Sequence, residues 1–187
     1  GGIRQIFDKE LNKSLLKTDK FLGGEVITMH SQGNGAGEFD AVQQPDMKGF
    51  DKSSLHASKW TIMEDGPVYT SYKVRTTIRH AVVEQVIRIY HGTKRIDFDI
   101  DLLNWEGIMY REFRMMIPLD FEKSEISYEV PYGSLVVGRD EMPGAAGERY
   151  YVENKDQHPR GIGNWISASS DKVSVTPVSY THLTLPT

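Results

Sequence analysis

Cysteine is absent from the 187 residues, which excludes disulfide staples, thiol nucleophiles and Cys-ligated zinc. A Cys-free chain suits an oxidising or a reducing compartment equally well. Long apolar runs are missing too: none approaches the ~18 residues that cross a bilayer as a helix, so no membrane partner is expected. Basic clusters are also lacking. With 22 Lys+Arg against 26 Asp+Glu, the net charge is −4. A nucleic-acid partner is therefore not expected, because a phosphate-binding surface needs concentrated Lys and Arg. Helical periodicity is scarce as well. Only Asp8–Lys17 has a weak helical pattern, and its charges fit a turn between short strands equally well. No internal repeat is visible.

What remains is a period of two. From Val68 the even positions read Val68, Thr70, Tyr72, Val74, Thr76 and Ile78, while Lys73, Arg75 and Arg79 fall on the odd face. Such alternation marks a strand with one buried face. In Arg95–Leu102 the residues Ile96, Phe98, Ile100 and Leu102 face inward, and Asp97, Asp99 and Asp101 face outward. Ala81–Tyr90 is rich in Val and Ile and closes in a turn at His91-Gly92-Thr93-Lys94. Tyr110–Ile117 alternates again, with Phe113, Met115 and Ile117 inward, until Pro118 stops the ladder. Shorter strands are expected at Glu25–His30, Lys59–Met63, Ile126–Val130, Ser134–Val137, Arg149–Val152, Trp165–Ala168 and Val173–Val175. Many strands and few helices predict an all-β fold, an antiparallel β-sandwich. Length suits one domain, since domains hold about 100–200 residues. The chain opens at Gly1-Gly2-Ile3-Arg4 as if in mid-domain, and composition changes abruptly at Pro177. Residues 1–176 thus read as the domain, truncated at both ends, and 177–187 as a non-native tail, with a real final strand as the alternative, since Val178, Tyr180 and Thr181 tolerate one.

Few motifs carry chemistry. Gly33-Asn34-Gly35-Ala36-Gly37 has glycines, but not the G-x-G-x-x-G spacing between a strand and a helix that a dinucleotide needs. A loop that brings Glu38, Phe39 and Asp40 to a ligand fits better, because glycine permits close backbone approach. Asp97-x-Asp99-x-Asp101 lacks the Gly and Glu of a calcium loop, having Leu102 and Ile108 at those places. It reads as a solvated stripe opposite Arg75, Arg79 or Arg88. The six histidines, His30, His56, His80, His91, His158 and His182, show no zinc spacing. Trp60, Trp105 and Trp165 are candidates for stacking on sugar rings, although core packing is the expected fate of at least two. Asn12-Lys13-Ser14 is a glycosylation sequon.

Several stretches, in order, resemble the C-terminal β-domain of glycoside hydrolase family 38, the retaining α-mannosidases. Gly1–Leu11 is similar to the family's opening hairpin. Val86–Gly92 followed by Arg95–Phe98 resembles its central long hairpin. Phe113–Pro118 with Tyr128-Glu129-Val130-Pro131-Tyr132-Gly133 resembles the strand pair that follows.

The resemblance implies a galactose-mutarotase-like supersandwich of antiparallel sheets. It implies a parent enzyme that cleaves α-mannosidic bonds with retention, on an α-mannoside glycan as substrate. The family's zinc and its Asp nucleophile belong to an N-terminal α/β barrel outside this sequence. No catalytic residue and no cofactor is therefore expected here, and zinc is expected in the parent's N-terminal domain, on which this domain would pack. The family's substrate-facing loop carries Ser-Gly-Ala-Tyr, and Gly33–Phe39 stands in its place without the Tyr. Glu38, Phe39 and Asp40 are the candidate substrate-binding residues. A glycan-degrading parent favours a periplasmic or secreted setting. Two other readings stand beside this one. A stand-alone carbohydrate-binding or mutarotase-like module would need an acid and a base such as His91 and Glu129 at one pocket. A structural β-sandwich would need neither.

Overall fold

The computed structural model describes residues 1–32, 44–141 and 161–179. These form strands and tight turns, with one 3-10 turn at Ser53–Leu55 and no α-helix among the described residues. The chain divides into two units, Gly1–Asp120 and Phe121–Thr187.

The first unit opens with a small hairpin, β1 (Phe7–Asp8) and β2 (Lys13–Ser14). Asp8 settles the choice between helix and turn. Its Oδ1 accepts the N–H groups of Glu10 and Leu11 at 2.9 and 3.0 Å, a local bond that diverts the backbone from a helix. There follow β3 (Glu25–Gln32), β4 (Gln44–Pro45), β5 (Asp51–Lys52), β6 (Ser58–Asp65), β7 (Tyr69–Ile78), β8 (Ala81–Tyr90), β9 (Ile96–Leu103) and β10 (Arg111–Met116). Strands β6 to β9 form an antiparallel meander in chain order. The second sheet runs β10-β3-β4, with β5 also paired to β3.

Alternation decides what these sheets bury. Val74 and Ile78 of β7 and Ala81, Val83 and Ile87 of β8 share one face, and all are buried. Ile78, Ala81 and Val83 meet Val26 of the other sheet, with Ile100 of β9 and Phe113 of β10 packed against them. Residues from two sheets thus close on one core, and the unit is an antiparallel β-sandwich. The core gathers at the Ile78–Ala81 end. Val68, expected on the apolar face, precedes β7 and is exposed, and Met115 of β10 is also exposed. Phe98 points inward as expected, over Gly24. A Cβ at Gly24 would lie 2.3 Å from Phe98 Cε1, and its φ of +74° suits glycine as well. Gln85, buried in the same face, donates its Nε2 hydrogen to Gly24 O at 2.7 Å.

The acidic stripe of β9 lies on the opposite face. Asp99 pairs with Arg88. Asp97 takes the guanidinium of Arg95 at 2.7 Å and the Tyr90 hydroxyl at 2.9 Å. Of the three arginines expected there only Arg88 takes part: Arg75 approaches Glu84 at 3.9 Å instead. The tryptophans depart from expectation. Trp60 and Trp105 are exposed, and Trp165 is half-buried. Among the described residues Trp60 stands on the outermost strand of its sheet and Trp105 in the turn beyond β9.

In the second unit β11 (Glu125–Val130), β12 (Gly133–Val136), β13 (Ile166–Ser169) and β14 (Ser174–Val175) form a sheet in the order β12-β11-β13-β14. Tyr132 caps the β11–β12 turn with φ +69°. Beyond β14, Val178 bridges to Trp165, and the Ser179 N–H donates to Asn164 O at 2.7 Å. The strand expected at Arg149–Val152 lies outside the described residues.

Candidate functional site

Glu38, Phe39 and Asp40, with the rest of the Gly33–Asp40 loop, lie outside the described residues. The described strands on either side of it pair with each other. Ser31 pairs with Pro45 and Gln32 with Gln44 across β3 and β4. The Asp46 N–H donates to His30 O at 3.1 Å, and the His30 N–H donates to Lys48 O at 2.9 Å.

Side chains lock this frame. His30 Nδ1 lies 2.9 Å from Asp46 Oδ2, and Asp46 Oδ1 accepts the Lys48 N–H at 2.9 Å. Lys48 Nζ adds an ion pair at 3.3 Å. Burial pushes the Asp46 carboxyl up, but the bonds from the Lys48 N–H, His30 and Lys48 Nζ outweigh it and hold the pKa at about 2. The Tyr110 ring meets His30 edge-on at 6.4 Å.

A second polar pair stands next to it in the chain. Both Asp51 oxygens accept from His56 Nε2, at 2.7 and 2.8 Å, and Oδ2 also accepts the Arg79 N–H at 2.8 Å. Burial again raises the Asp51 carboxyl, while His56 and the Arg79 and Lys52 N–H groups bring it below its ordinary value. Between the pairs, Arg111 donates Nη1 to Lys48 O at 3.1 Å and Nη2 to Gly49 O. Its Nε is buried without a partner among the described residues. Burial and the neighbouring Arg79 lower the Arg111 pKa, against Asp51 and Asp46. Gly49 has φ +55°, and a Cβ there would lie 3.2 Å from Arg111 Nη2. A side chain at Gly49 would therefore strain the turn.

This cluster is a clasp. Each carboxylate accepts several hydrogen bonds, and among the described residues neither His–Asp pair has a Ser, Thr or Cys bonded to it to serve as a nucleophile. What it does chemically is tie β3 and β10 to the turn at 46–49. His56 continues into a cleft of about 530 Å³ lined by Gly1, Gly2, Arg4, Asp19, Ser58 and Trp60. His91 and Glu129, the acid and base of the module reading, are each taken up locally. His91 Nε2 lies 3.1 Å from the Thr70 hydroxyl. Glu129 accepts the Asn164 N–H in the other unit. Among the described residues no group of three or more His, Asp or Glu stands together as a metal ion would require. His158 and His182 lie outside them.

Sequence reasoning missed the two His–Asp pairs. A partial signal was there: Pro45-Asp46 followed by Lys48 and Gly49 is the composition of an Asx turn. That turn folds Asp46 back toward β3, where His30 stands, and no short-range pattern announces a partner sixteen residues away.

The strand topology of the described residues defines an antiparallel β-sandwich. The model of the Glycosyl hydrolases family 38 C-terminal domain matches residues 1–174. The chain belongs to that family, and its parent is a glycoside hydrolase. No curated protein and no solved structure matches it.

Proposed function

We propose that the chain is the C-terminal β-domain of a retaining α-mannosidase and forms one wall of its substrate pocket. The observation that carries this reading is the family match over residues 1–174. Retention proceeds through a covalent glycosyl–enzyme intermediate and needs two carboxyl groups about 5–5.5 Å apart around one sugar. Those groups, and the zinc that orients sugar hydroxyls, belong to the parent's N-terminal domain. The described residues of this chain bring together no donor set that fits zinc, so no step here runs through it.

The domain's part is positional. The His30–Asp46 clasp and the β3–β4 pairing hold the loop's ends. Glu38 and Asp40 accept hydrogen bonds from sugar hydroxyls, and Phe39 packs on a ring face. Turnover of an aryl α-mannoside by the full-length parent, with and without chelator, tests the activity. Inactivity on every mannoside tried sinks it. Single Ala substitutions at Glu38, Phe39 and Asp40 in the same enzyme test the wall. Loss of a contact should cost about 1–3 kcal/mol in kcat/KM at unchanged thermal stability. Parental kinetics in all three variants reduce the loop to scaffold.

A further inference from the structure

A cleft of about 530 Å³ opens between two stretches of the first unit. One wall is the chain on either side of the β1–β2 hairpin, with Arg4, Asp19 and Lys20; the other runs from β5 to β6, with Lys52, His56 and Trp60. A buried carboxylate ties the walls together. Glu25, 0% exposed, accepts the Leu22 N–H at 2.8 Å with Oε2 and the Ser54 N–H at 3.0 Å with Oε1, one bond from each side. Ile3 and Gly23 exchange backbone bonds at 2.8 and 2.9 Å, which fixes the first wall. Lys52 Nζ crosses from the second wall to Lys20 O at 2.7 Å. The cleft is thus held open by bonds that need no ligand, and its volume is that of a small-molecule site.

Its lining combines an aromatic plane with charge. Trp60 is 43% exposed on β6, and an indole carried by a strand offers the apolar face of a sugar ring a platform at little entropic cost. Three cations, Arg4, Lys20 and Lys52, line the cleft against one carboxylate, Asp19. Lys52 Nζ stands 5.4 Å over the Phe21 ring and uses one of its three donors on Lys20 O, which leaves two. Among the described residues the Arg4 and Lys20 side chains pair with no carboxylate, although acid partners hold Lys73, Arg88, Lys94 and Arg114. His56 gives Nε2 to Asp51, so its Nδ1 is left for a hydroxyl. The whole chain carries a net charge of −4. The positive excess is therefore a property of this cleft and not of the surface at large.

We propose that this cleft binds an anionic saccharide: a sugar ring stacks on Trp60, and the carboxylate or sulfate it carries meets Arg4, Lys20 and Lys52. An aromatic platform alone accepts any sugar, and unpaired cations alone accept any anion. Together they select a sugar that bears negative charge, with Arg4 supplying the planar fork that suits either oxyanion. Such binding stands or falls separately from α-mannoside cleavage by the parent.

The test titrates the 187-residue chain with three tetrasaccharides: one from carrageenan, which carries sulfate, a tetragalacturonate, which carries carboxylate, and a neutral mannotetraose. The readouts are the calorimetric Kd and the NMR shift of the Trp60 indole N–H, a signal identified by its loss in Trp60→Phe. At least one charged tetrasaccharide should bind with a Kd of about 1 mM or tighter and move that signal, and which of the two does so names the anionic group. Raising salt from about 50 to about 300 mM should weaken binding several-fold. Trp60→Ala should weaken it about tenfold, and Arg4→Gln or Lys52→Gln about fivefold each, while Trp60→Phe keeps most of the affinity. Equally tight binding of mannotetraose overturns the proposal, as does inorganic sulfate that matches the charged sugars, which would mean an ion site without a sugar. Failure of both charged tetrasaccharides to bind, or binding that Trp60→Ala and Arg4→Gln leave unchanged, overturns it as well. If Trp60→Ala fails to fold, Arg4→Gln and Lys52→Gln decide.

Discussion

β8 and β6 belong to the same sheet, alternate in the same way and end at opposite fates. Val83 and Ile87 of β8 are 1% and 2% exposed, whereas Ile62 of β6 is 62% exposed. The residue types are nearly interchangeable. What differs is position: β8 has a paired strand on each side and the β3 sheet across its face, and β6 has one neighbour among the described residues. Apolar patterning states which face wants burial, and only the count of layers and neighbours says whether burial is delivered.

The largest test of that contrast substitutes alanine at the two places. Ile87→Ala should cost about 2–5 kcal/mol, by transfer and cavity terms together. Ile62→Ala in the same chain should stay within about 0.5 kcal/mol, as surface changes do. Chemical denaturation of both variants measures the gap, and equal losses would show that β6 is covered after all.

The buried end also holds a polar requirement. Gln85→Leu keeps the volume but leaves Gly24 O without its donor, which should cost about 1–3 kcal/mol. The same change at Gln5, half-buried or less and outside the core, should cost nothing measurable. Indistinguishable melting curves for Gln85→Leu and the parental chain would remove this bond from the account.

Acid probes the other sheet, beside β4. Asp46 has a pKa of about 2 in the folded chain against an ordinary 3.8. The folded state therefore prefers the carboxylate. Its contribution is complete above the ordinary value and is lost as pH falls through about 2. Between those limits, amide exchange at Lys48 should accelerate before exchange at Val83 or Ile87 does. Simultaneous loss would make the clasp and the core one cooperative unit.

The smallest effect belongs to the outer stripe. Asp99→Asn removes an exposed pair with Arg88 and should change stability by less than about 1 kcal/mol, less still in high salt. A larger loss would reveal a role for the stripe beyond solvation.

Long strands were legible because each repeats its period several times: Val74, Thr76 and Ile78, or Ile96, Phe98 and Ile100. Short ones such as β4 and β5, two residues each, carry no period at all. They exist because β3 offers them a partner. The clasp was illegible for the same reason. His30 and Asp46, or Asp51 and the Arg79 N–H, become neighbours only after β3, β5 and the β7–β8 turn have been brought together.

The sequence by itself therefore determined the class of fold and the family, because alternation, turn residues and the order of motifs are local properties that survive without coordinates. It also determined which face of each strand is apolar. Tertiary structure alone decided which of those faces find a cover, which carboxylates find a histidine, and why a side chain at Gly24 or Gly49 would be strained. Each of these depends on a contact between segments far apart in the chain, and such contacts are set by how sheets stack, not by any residue's own preference.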